Sequence, residues 1–150
     1  MFRGITATTI DAKGRITVPT KHRNDISAAC SGQIVITVDI DRCLIIYPLP
    51  EWERVESDLL SLPNMGKQVR RLHRLYLGYA KACEVDGQFR VLLPQELREF
   101  AGLEKNVYLV GQGNKFELWD EGSWQQGCED WLKAESDSEK GESILDQIII

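Results

Sequence analysis

Two short stretches of the chain join an aspartate to an arginine through a tight turn. Residues 11–15 read Asp-Ala-Lys-Gly-Arg, and residues 86–90 read Asp-Gly-Gln-Phe-Arg. An arginine can donate two parallel hydrogen bonds to guanine O6 and N7, and a lysine can neutralise a phosphate. The aspartate would accept hydrogen bonds from turn amides or hold the arginine in position. The pattern predicts a DNA contact, and a structural ion pair that only braces a hairpin is the alternative.

The two stretches differ in charge. Lys13 and Gly14 of the first are replaced by Gln88 and Phe89 in the second, so the contribution of the second stretch to DNA binding stays open. Arg3 lies in the same basic N-terminal segment as the first stretch. The candidate DNA-binding residues are Arg15, Lys13, Gly14, Asp11, Arg3, Arg90 and Asp86.

The stretches belong to an internal duplication. Asp, Arg and a following Pro fall in step in residues 11–19 and 86–94, an offset of 75 residues. A second match follows in the same order, because Leu-Ile-Ile-Tyr at 44–47 aligns with Phe-Glu-Leu-Trp at 116–119. Two matches in one order indicate that a small module occurs twice.

Each copy predicts the same elements. An alternating strand (5–10 or 79–85) precedes the turn, and a short strand then ends at a proline that suits a helix start. A short helix (20–29 or 95–101) leads into a hairpin (33–38 with 43–47, or 106–110 with 115–119) and a Trp-bearing helix (51–62 or 121–134). We therefore predict an α+β, mostly β fold.

A helix over 65–78 should connect the copies. The predicted divisions are a first repeat at 1–62, the connecting helix at 63–78, a second repeat at 79–134 and an acidic, mobile tail at 135–150. The connecting helix carries a basic face, Arg70, Arg71 and Arg74, which we expect to pair with acids of the preceding helix. The tryptophans at 52, 119, 124 and 131 are expected in the core or a subunit interface.

Charge is separated along the chain. The net charge is −5, which alone argues against nucleic acid. Residues 1–30, however, hold five basic and two acidic residues, whereas residues 101–150 hold four lysines and eleven acids. A basic N-terminal surface can therefore bind phosphate although the whole chain is acidic.

Other classes of function find little support. The four cysteines lack metal-ligand spacing, so we expect no metal, no cofactor and reduced, packed thiols. His22 and His73 are expected on solvated helices, and no nucleophile and base fall in a catalytic motif, so we expect no enzyme. The apolar runs are too short to cross a membrane and no leader is evident, which predicts a cytoplasmic protein.

Several motifs together resemble the MraZ family of bacterial transcriptional regulators. They are the N-terminal Met-Phe-Arg-Gly, the Asp-to-Pro stretch at 11–19, Tyr-Pro-Leu-Pro-Glu-Trp at 47–52 and Gly-Asn-Lys-Phe-Glu-Leu-Trp at 113–119. The resemblance covers nearly the whole chain and thins after about Leu132.

The resemblance implies an AbrB-like swapped-hairpin barrel with flanking helices, built from two tandem pseudo-repeats. It implies a ring-shaped homo-oligomer that binds double-stranded promoter DNA at short G-rich direct repeats before the division and cell-wall gene cluster, including its own gene. It implies a nucleoid-associated regulator with no evident small-molecule effector, and it carries the DNA-reading motif onto Asp11, Arg15, Asp86 and Arg90. The competing hypothesis is an antitoxin-like or scaffold barrel that binds a protein through its Trp-rich helices.

Overall fold

A computed structural model describes residues 1–63, 65–137 and 144–148. The chain divides into two compact units, Met1–Asp120 and Glu121–Ile150. No helix in the described part of the chain is long and apolar enough to cross a membrane. The predicted acidic tail lies partly outside the described residues, which include a short 3₁₀ helix at Ile144–Gln147.

The described residues hold both copies of the predicted series of elements. The strands are β1 (Phe2–Thr9), β2 (Arg15–Thr17), β3 (Gln33–Val38), β4 (Leu44–Pro48), β5 (Lys81–Glu84), β6 (Arg90–Leu92), β7 (Asn106–Gly113) and β8 (Phe116–Asp120). The helices are α1 (Thr20–Cys30), α2 (Leu49–Ser61), α3 (Lys67–Leu72), α4 (Gln95–Phe100) and α5 (Glu121–Ser136), with a π-helical segment at His73–Leu77. The mostly β, α+β prediction is confirmed.

The two repeats exchange their first strands. Among the described residues, six strands form one antiparallel sheet in the order β1-β7-β8-β4-β3-β5. β1 of the first repeat therefore pairs with the hairpin of the second repeat, and β5 of the second pairs with the hairpin of the first. β4 and β8 join the two hairpins at the centre. This is the swapped-hairpin arrangement of two pseudo-repeats that was predicted.

Each face of this sheet carries a cluster of buried side chains. On one face, side chains from both repeats form a single core that includes Ile16, Val91, Leu97, Leu118 and Phe116, each at most 2% exposed. On the other face, α2 and the segment after it cover a smaller cluster of Val35, Ile45, Tyr47 and Trp52. Because the larger core draws on both repeats, neither repeat has a complete core of its own.

The predicted connecting helix departs from regular α geometry. It is α-helical only to Leu72, and the Gly78 N–H then donates to the His73 carbonyl five residues back. Thr37 Oγ1 donates to the Tyr76 carbonyl at 2.7 Å, so a buried hydroxyl from β3 takes an acceptor of this segment. Gly78 permits the widened turn, because a Cβ there would lie 2.1 Å from the Arg74 carbonyl oxygen.

The basic face of this helix differs from its predicted role. Arg70, Arg71 and Arg74 are exposed, and none of the three forms an ion pair with another described residue. Glu51, an expected partner, instead contacts Arg54 and Asn114. The expected pairing with the preceding helix is therefore wrong for the described residues.

Both histidines are less exposed than expected. His22 is 4% exposed and lies between aromatic rings, with its centroid 5.9 Å from that of Phe2 and 4.8 Å from that of Phe116. Within the described residues its Nε2 has no hydrogen-bond partner. His73 is partly buried, with Nε2 2.6 Å from the Leu59 carbonyl oxygen. The prediction of solvated histidines was wrong, because helix α1 turns His22 toward strands that are distant in sequence.

Burial of His22 should make stability depend on pH. Burial is the main cause that lowers the pKa of His22 below 6.5; Lys21 lowers it further, and Asp25 opposes both. The unfolded chain therefore takes up this proton at a higher pH than the folded chain does. We expect the free energy of unfolding to fall as the pH drops below 6.5, by at most about 1.4 kcal/mol per pH unit from this group.

Urea denaturation between pH 5.5 and 7.5 measures this effect. The control is His22→Phe, which keeps an aromatic ring in the same cluster but cannot be protonated. We expect the pH dependence of the wild type and this variant to differ little near pH 7.5 and to diverge as the pH falls through about 6.5. Equal slopes for the two proteins would contradict the prediction.

Candidate nucleic-acid interface

The first turn is built around the carboxylate of Asp11. Its Oδ1 accepts the backbone N–H groups of Lys13 and Arg15, both at 2.9 Å. Its Oδ2 accepts Arg15 Nε at 2.8 Å. The Gly14 N–H donates to the Asp11 carbonyl, and Gly14 adopts φ +85°, a conformation that favours glycine. A single carboxylate thus fixes both the turn and the direction of its arginine.

The second turn repeats this network residue by residue. Asp86 Oδ1 accepts the N–H groups of Gln88 and Arg90 at 2.8 and 2.9 Å, and Oδ2 accepts Arg90 Nε at 3.1 Å. Phe89 occupies the place of Gly14 and keeps a positive φ of +58°. The predicted hydrogen bonds of both aspartates are therefore confirmed, and the second turn keeps its shape although its sequence differs.

Both aspartates are held in their charged form. The hydrogen bond from the Arg15 backbone N–H is the largest cause that lowers the pKa of Asp11, and the Arg15 side chain and the Lys13 N–H act in the same direction. The Arg90 backbone N–H is the largest cause that lowers the pKa of Asp86. The turns thus keep their ion pairs at neutral pH.

Strands β2 and β6 join the two turns through one short sheet, with one turn at each end. They form a two-stranded antiparallel sheet, hereafter the ribbon, in which Arg15 lies opposite Leu92 and Thr17 opposite Arg90. Ile16 and Val91 face the core at 2% exposure, so the alternating residues face outward. Arg15 and Arg90 are therefore diagonal neighbours on one outer face, roughly 7–8 Å apart at Cα.

The guanidinium groups on this face keep free donors. Arg15 and Arg90 each use Nε to bond their aspartate, and in the described part of the chain neither uses its Nη atoms in a hydrogen bond. Their side chains are 25% and 29% exposed. Each arginine can therefore offer Nη donors to an acceptor outside the chain, in an orientation that its aspartate sets.

The other candidates are placed differently. Lys13 is exposed at the first turn, and Gly14 is buried beneath it. Arg3 is exposed near the start of β1, whereas the turn follows the end of that strand, so roughly 25 Å of extended chain separates Arg3 from Asp11. The structure thus joins six of the seven candidates at the ribbon and its turns and leaves Arg3 apart.

Sequence reasoning missed two arginines beside the turns. Arg23 of α1 lies with its Cζ 4.7 Å from the ring centroid of Phe89, and Arg98 of α4 lies against Gly14. The duplication could have revealed them. Arg23 and Arg98 are 75 positions apart, as Asp11 and Asp86 are, and they follow Arg15 and Arg90 by eight positions.

The remaining candidates that the sequence raised are the cysteines and the tryptophans. All four cysteines are free, and Cys43 is fully buried. Atoms of Asp39, Cys43 and Glu117 that could bind a metal ion lie within 4.8 Å of one another. Both carboxylates already accept hydrogen bonds: that of Asp39 from the Tyr76 hydroxyl and the Asp41 N–H, and that of Glu117 from Trp119 Nε1. Trp52 and Trp119 are 5% exposed and belong to the core, as expected.

Comparison with known proteins gives one consistent result. The family model described as "MraZ protein, putative antitoxin-like" matches residues 1–75 and again residues 76–147. The transcriptional regulator MraZ of Thioalkalivibrio sulfidiphilus is 51% identical over 148 residues, which is 99% of each chain. Those of Halorhodospira halophila and Pseudomonas aeruginosa are 53% and 48% identical, over 88–89% and 89% of the chains.

These relatives are close to the chain in length, since the matches cover 88–99% of each of them. The duplicated family match divides the chain between the two Asp-to-Arg turns, in agreement with the repeated elements of the fold. With two matches in tandem and identities near half over almost every residue, the chain belongs to the MraZ family.

Proposed function

We propose that the chain binds double-stranded DNA sequence-specifically and regulates transcription from the promoter of the division and cell-wall gene cluster, including its own gene. The observation that carries the proposal is the outer face of the ribbon, where the Nη atoms of Arg15 and Arg90 form no hydrogen bond with any residue that the structure describes. A two-stranded ribbon has a width that the major groove of DNA can admit. The relatives, which are named transcriptional regulators, support the same function.

Guanine is the base that this face suits best. The Nη atoms of an arginine match the paired acceptors O6 and N7, and Lys13 beside them can contact a phosphate. A ribbon that spans only a few base pairs would read a short G-rich site. We propose binding rather than catalysis at this surface, with Asp11 and Asp86 orienting the arginines instead of contacting DNA.

A single subunit with so few base contacts would bind weakly. We propose a ring-shaped homo-oligomer that presents the same ribbon several times, since every contact after the first becomes intramolecular. Adjacent ring members face the same way, so the sites on the DNA would be direct repeats rather than palindromes. The regulator would act in the cytoplasm on the nucleoid.

An antitoxin-like or scaffold role is the alternative proposal. It would use the tryptophans as a docking surface for a protein partner. Trp52 and Trp119 are buried within the chain, which leaves Trp124 and Trp131, and these pack against each other with centroids 5.3 Å apart. The alternative can therefore use only two of the four tryptophans as a docking surface.

Fluorescence anisotropy with DNA from upstream of the protein's own gene tests the proposal. We expect the logarithm of the association constant to fall linearly with the logarithm of salt concentration, with a slope of about −0.9 for each phosphate neutralised. We also expect the natural DNA to bind at least about tenfold more tightly than a shuffled duplex of the same composition, since each mismatched pair costs about 1–3 kcal/mol. Equal binding of the two duplexes would refute sequence-specific recognition.

A further inference from the structure

The two arginines beside the turns, Arg23 and Arg98, occupy equivalent places in the repeats. Arg23 Nε donates to the Val18 carbonyl at 3.0 Å, and Arg98 Nε donates to the Leu93 carbonyl at 3.1 Å. In each case the acceptor is the residue just before the proline that starts the helix. Each arginine is therefore anchored first to its own repeat.

Each guanidinium then reaches the turn of the other repeat. A Cβ placed on Gly14 would lie 3.0 Å from Arg98 Cζ and 3.1 Å from its Nη2, so the guanidinium packs closely on the glycine backbone. Arg23 lies over the ring of Phe89, at the equivalent place of the second turn. The contact is thus crossed, from the second repeat to the first turn and from the first repeat to the second turn.

Backbone hydrogen bonds connect the same two repeats beside each of these crossed contacts. The Leu93 N–H donates to the Gly14 carbonyl at 2.9 Å, while the Leu93 carbonyl accepts Arg98. In the same way, the Val18 N–H donates to the Phe89 carbonyl at 2.7 Å. A single residue on each side therefore links the facing turn to the arginine that lies over that turn.

We propose that Arg98 positions the first turn, and Arg23 the second, for DNA recognition across the repeats. Both arginines are half-buried, and within the described residues neither forms an ion pair that would explain it otherwise. Gly14 and Phe89 immediately precede Arg15 and Arg90, so a shift of either turn would redirect the arginine on the ribbon face. Arg98 and Arg23 are positioning residues, and Arg15 and Arg90 carry the base contacts.

The inference rests on the proposed DNA binding. It predicts a pattern of binding losses that an ordinary surface arginine would not produce. Replacing Arg98 should affect DNA binding in the same way as replacing Arg15, which belongs to the other repeat. It should not have the same effect as replacing Arg90, which belongs to the same repeat as Arg98. General destabilisation would affect both turns alike, so the pattern of loss separates positioning from a purely structural role.

The test is a double-mutant cycle on the full-length protein with DNA from upstream of its own gene. We expect Arg98→Ala to weaken binding by about tenfold, a size comparable with one base contact. Adding Arg98→Ala to Arg15→Ala should cost less than about twofold more, whereas adding it to Arg90→Ala should cost nearly the full factor. Arg23→Ala should show the reverse preference and couple to Arg90.

A panel of single guanine replacements in the DNA supplies the second readout. Arg98→Ala and Arg15→Ala should lose discrimination at the same positions, and Arg90→Ala at others. Arg98→Lys keeps the charge but lacks the planar fork and Nε donor, so it should not restore binding. This variant also carries the test if Arg98→Ala does not fold.

The outcomes distinguish this inference from the proposed function. If the wild type does not discriminate its own upstream DNA from the shuffled duplex, the proposed function fails. If the wild type does discriminate, three results would overturn the positioning role alone. They are binding by Arg98→Ala as tight as that of the wild type, coupling of Arg98→Ala to Arg90 instead of Arg15, and full binding by Arg98→Lys.

Discussion

Replacing Arg15 with alanine is expected to weaken DNA binding by about 1–3 kcal/mol for each ribbon that contacts a guanine. For one contact this corresponds to about 5- to 150-fold, and the loss grows when several ribbons of an oligomer engage one DNA. The physical reason is that Arg15 offers two Nη donors on the outer face while Asp11 fixes its Nε. Anisotropy with the upstream DNA measures the effect.

The fold should tolerate this change. Asp11 would still accept the backbone N–H groups of residues 13 and 15, so the turn keeps two of the three hydrogen bonds to its carboxylate. The lost ion pair is partly exposed, and such pairs contribute about 0–1 kcal/mol. We therefore expect the free energy of unfolding to change by less than about 1 kcal/mol, so that a loss of binding reports the interface and not the fold.

Arg54→Ala is the matched control. It removes the same charge from α2, where the Arg54 side chain is 75% exposed and pairs with Glu51. We expect it to leave discrimination between the natural and shuffled duplexes unchanged. If Arg54→Ala weakened binding as much as Arg15→Ala, net charge rather than the ribbon would account for the affinity, and the assignment of Arg15 would be wrong.

The turns show how far local sequence could lead. Asp11 and Arg15 are four residues apart, and the carboxylate satisfies amides within the same turn, so residue types and spacing contain the whole arrangement. The helix starts after Pro19 and Pro94 were equally local, since proline favours the first position before or within a helix. Such features need no knowledge of the rest of the chain.

The partners of distant segments were less accessible. Alternation in residues 5–10 predicts a strand, but any hairpin with an open edge could receive it, and the structure pairs β1 with β7 rather than with its own repeat. The exchange came from the family resemblance, not from the residues. His22 was misassigned for the same reason, because the Phe116 ring that covers it lies 94 positions away.

The crossed contacts of Arg23 and Arg98 follow from that exchange. The sequence contained their 75-residue offset, yet only the pairing of β2 with β6 places Arg98 on Gly14 rather than on its own turn. At Gly14 the guanidinium of Arg98 packs closely on the backbone, whereas at the equivalent position Phe89 places its ring against Arg23. The two turns thus differ in sequence, and the arginines contact them in different ways.

Phe116→Ala is expected to destabilise the protein more than the loss of either ribbon arginine, Arg15 or Arg90. Phe116 is 2% exposed, and its ring lies 4.2 Å from that of Phe2, centroid to centroid. Truncating a buried phenylalanine costs about 3–5 kcal/mol, which is a large part of the 5–15 kcal/mol that stabilises a typical domain. Chemical denaturation measures the loss in the free energy of unfolding. The control is Leu60→Ala, at a side chain that is 63% exposed, which should change the free energy of unfolding by less than about 0.5 kcal/mol.

The same site tests whether the repeats stabilise each other. Phe2 comes from β1 of the first repeat and Phe116 from β8 of the second, so their contact exists only because the first strands are exchanged. In a double-mutant cycle, Phe2→Ala and Phe116→Ala should therefore couple by about 0.5–1.5 kcal/mol or more. Unfolding should also stay a single transition for the unit Met1–Asp120, since the shared core leaves neither repeat able to unfold alone. Additive effects or two separate transitions would mean that each repeat folds on its own, and the exchanged topology would be contradicted.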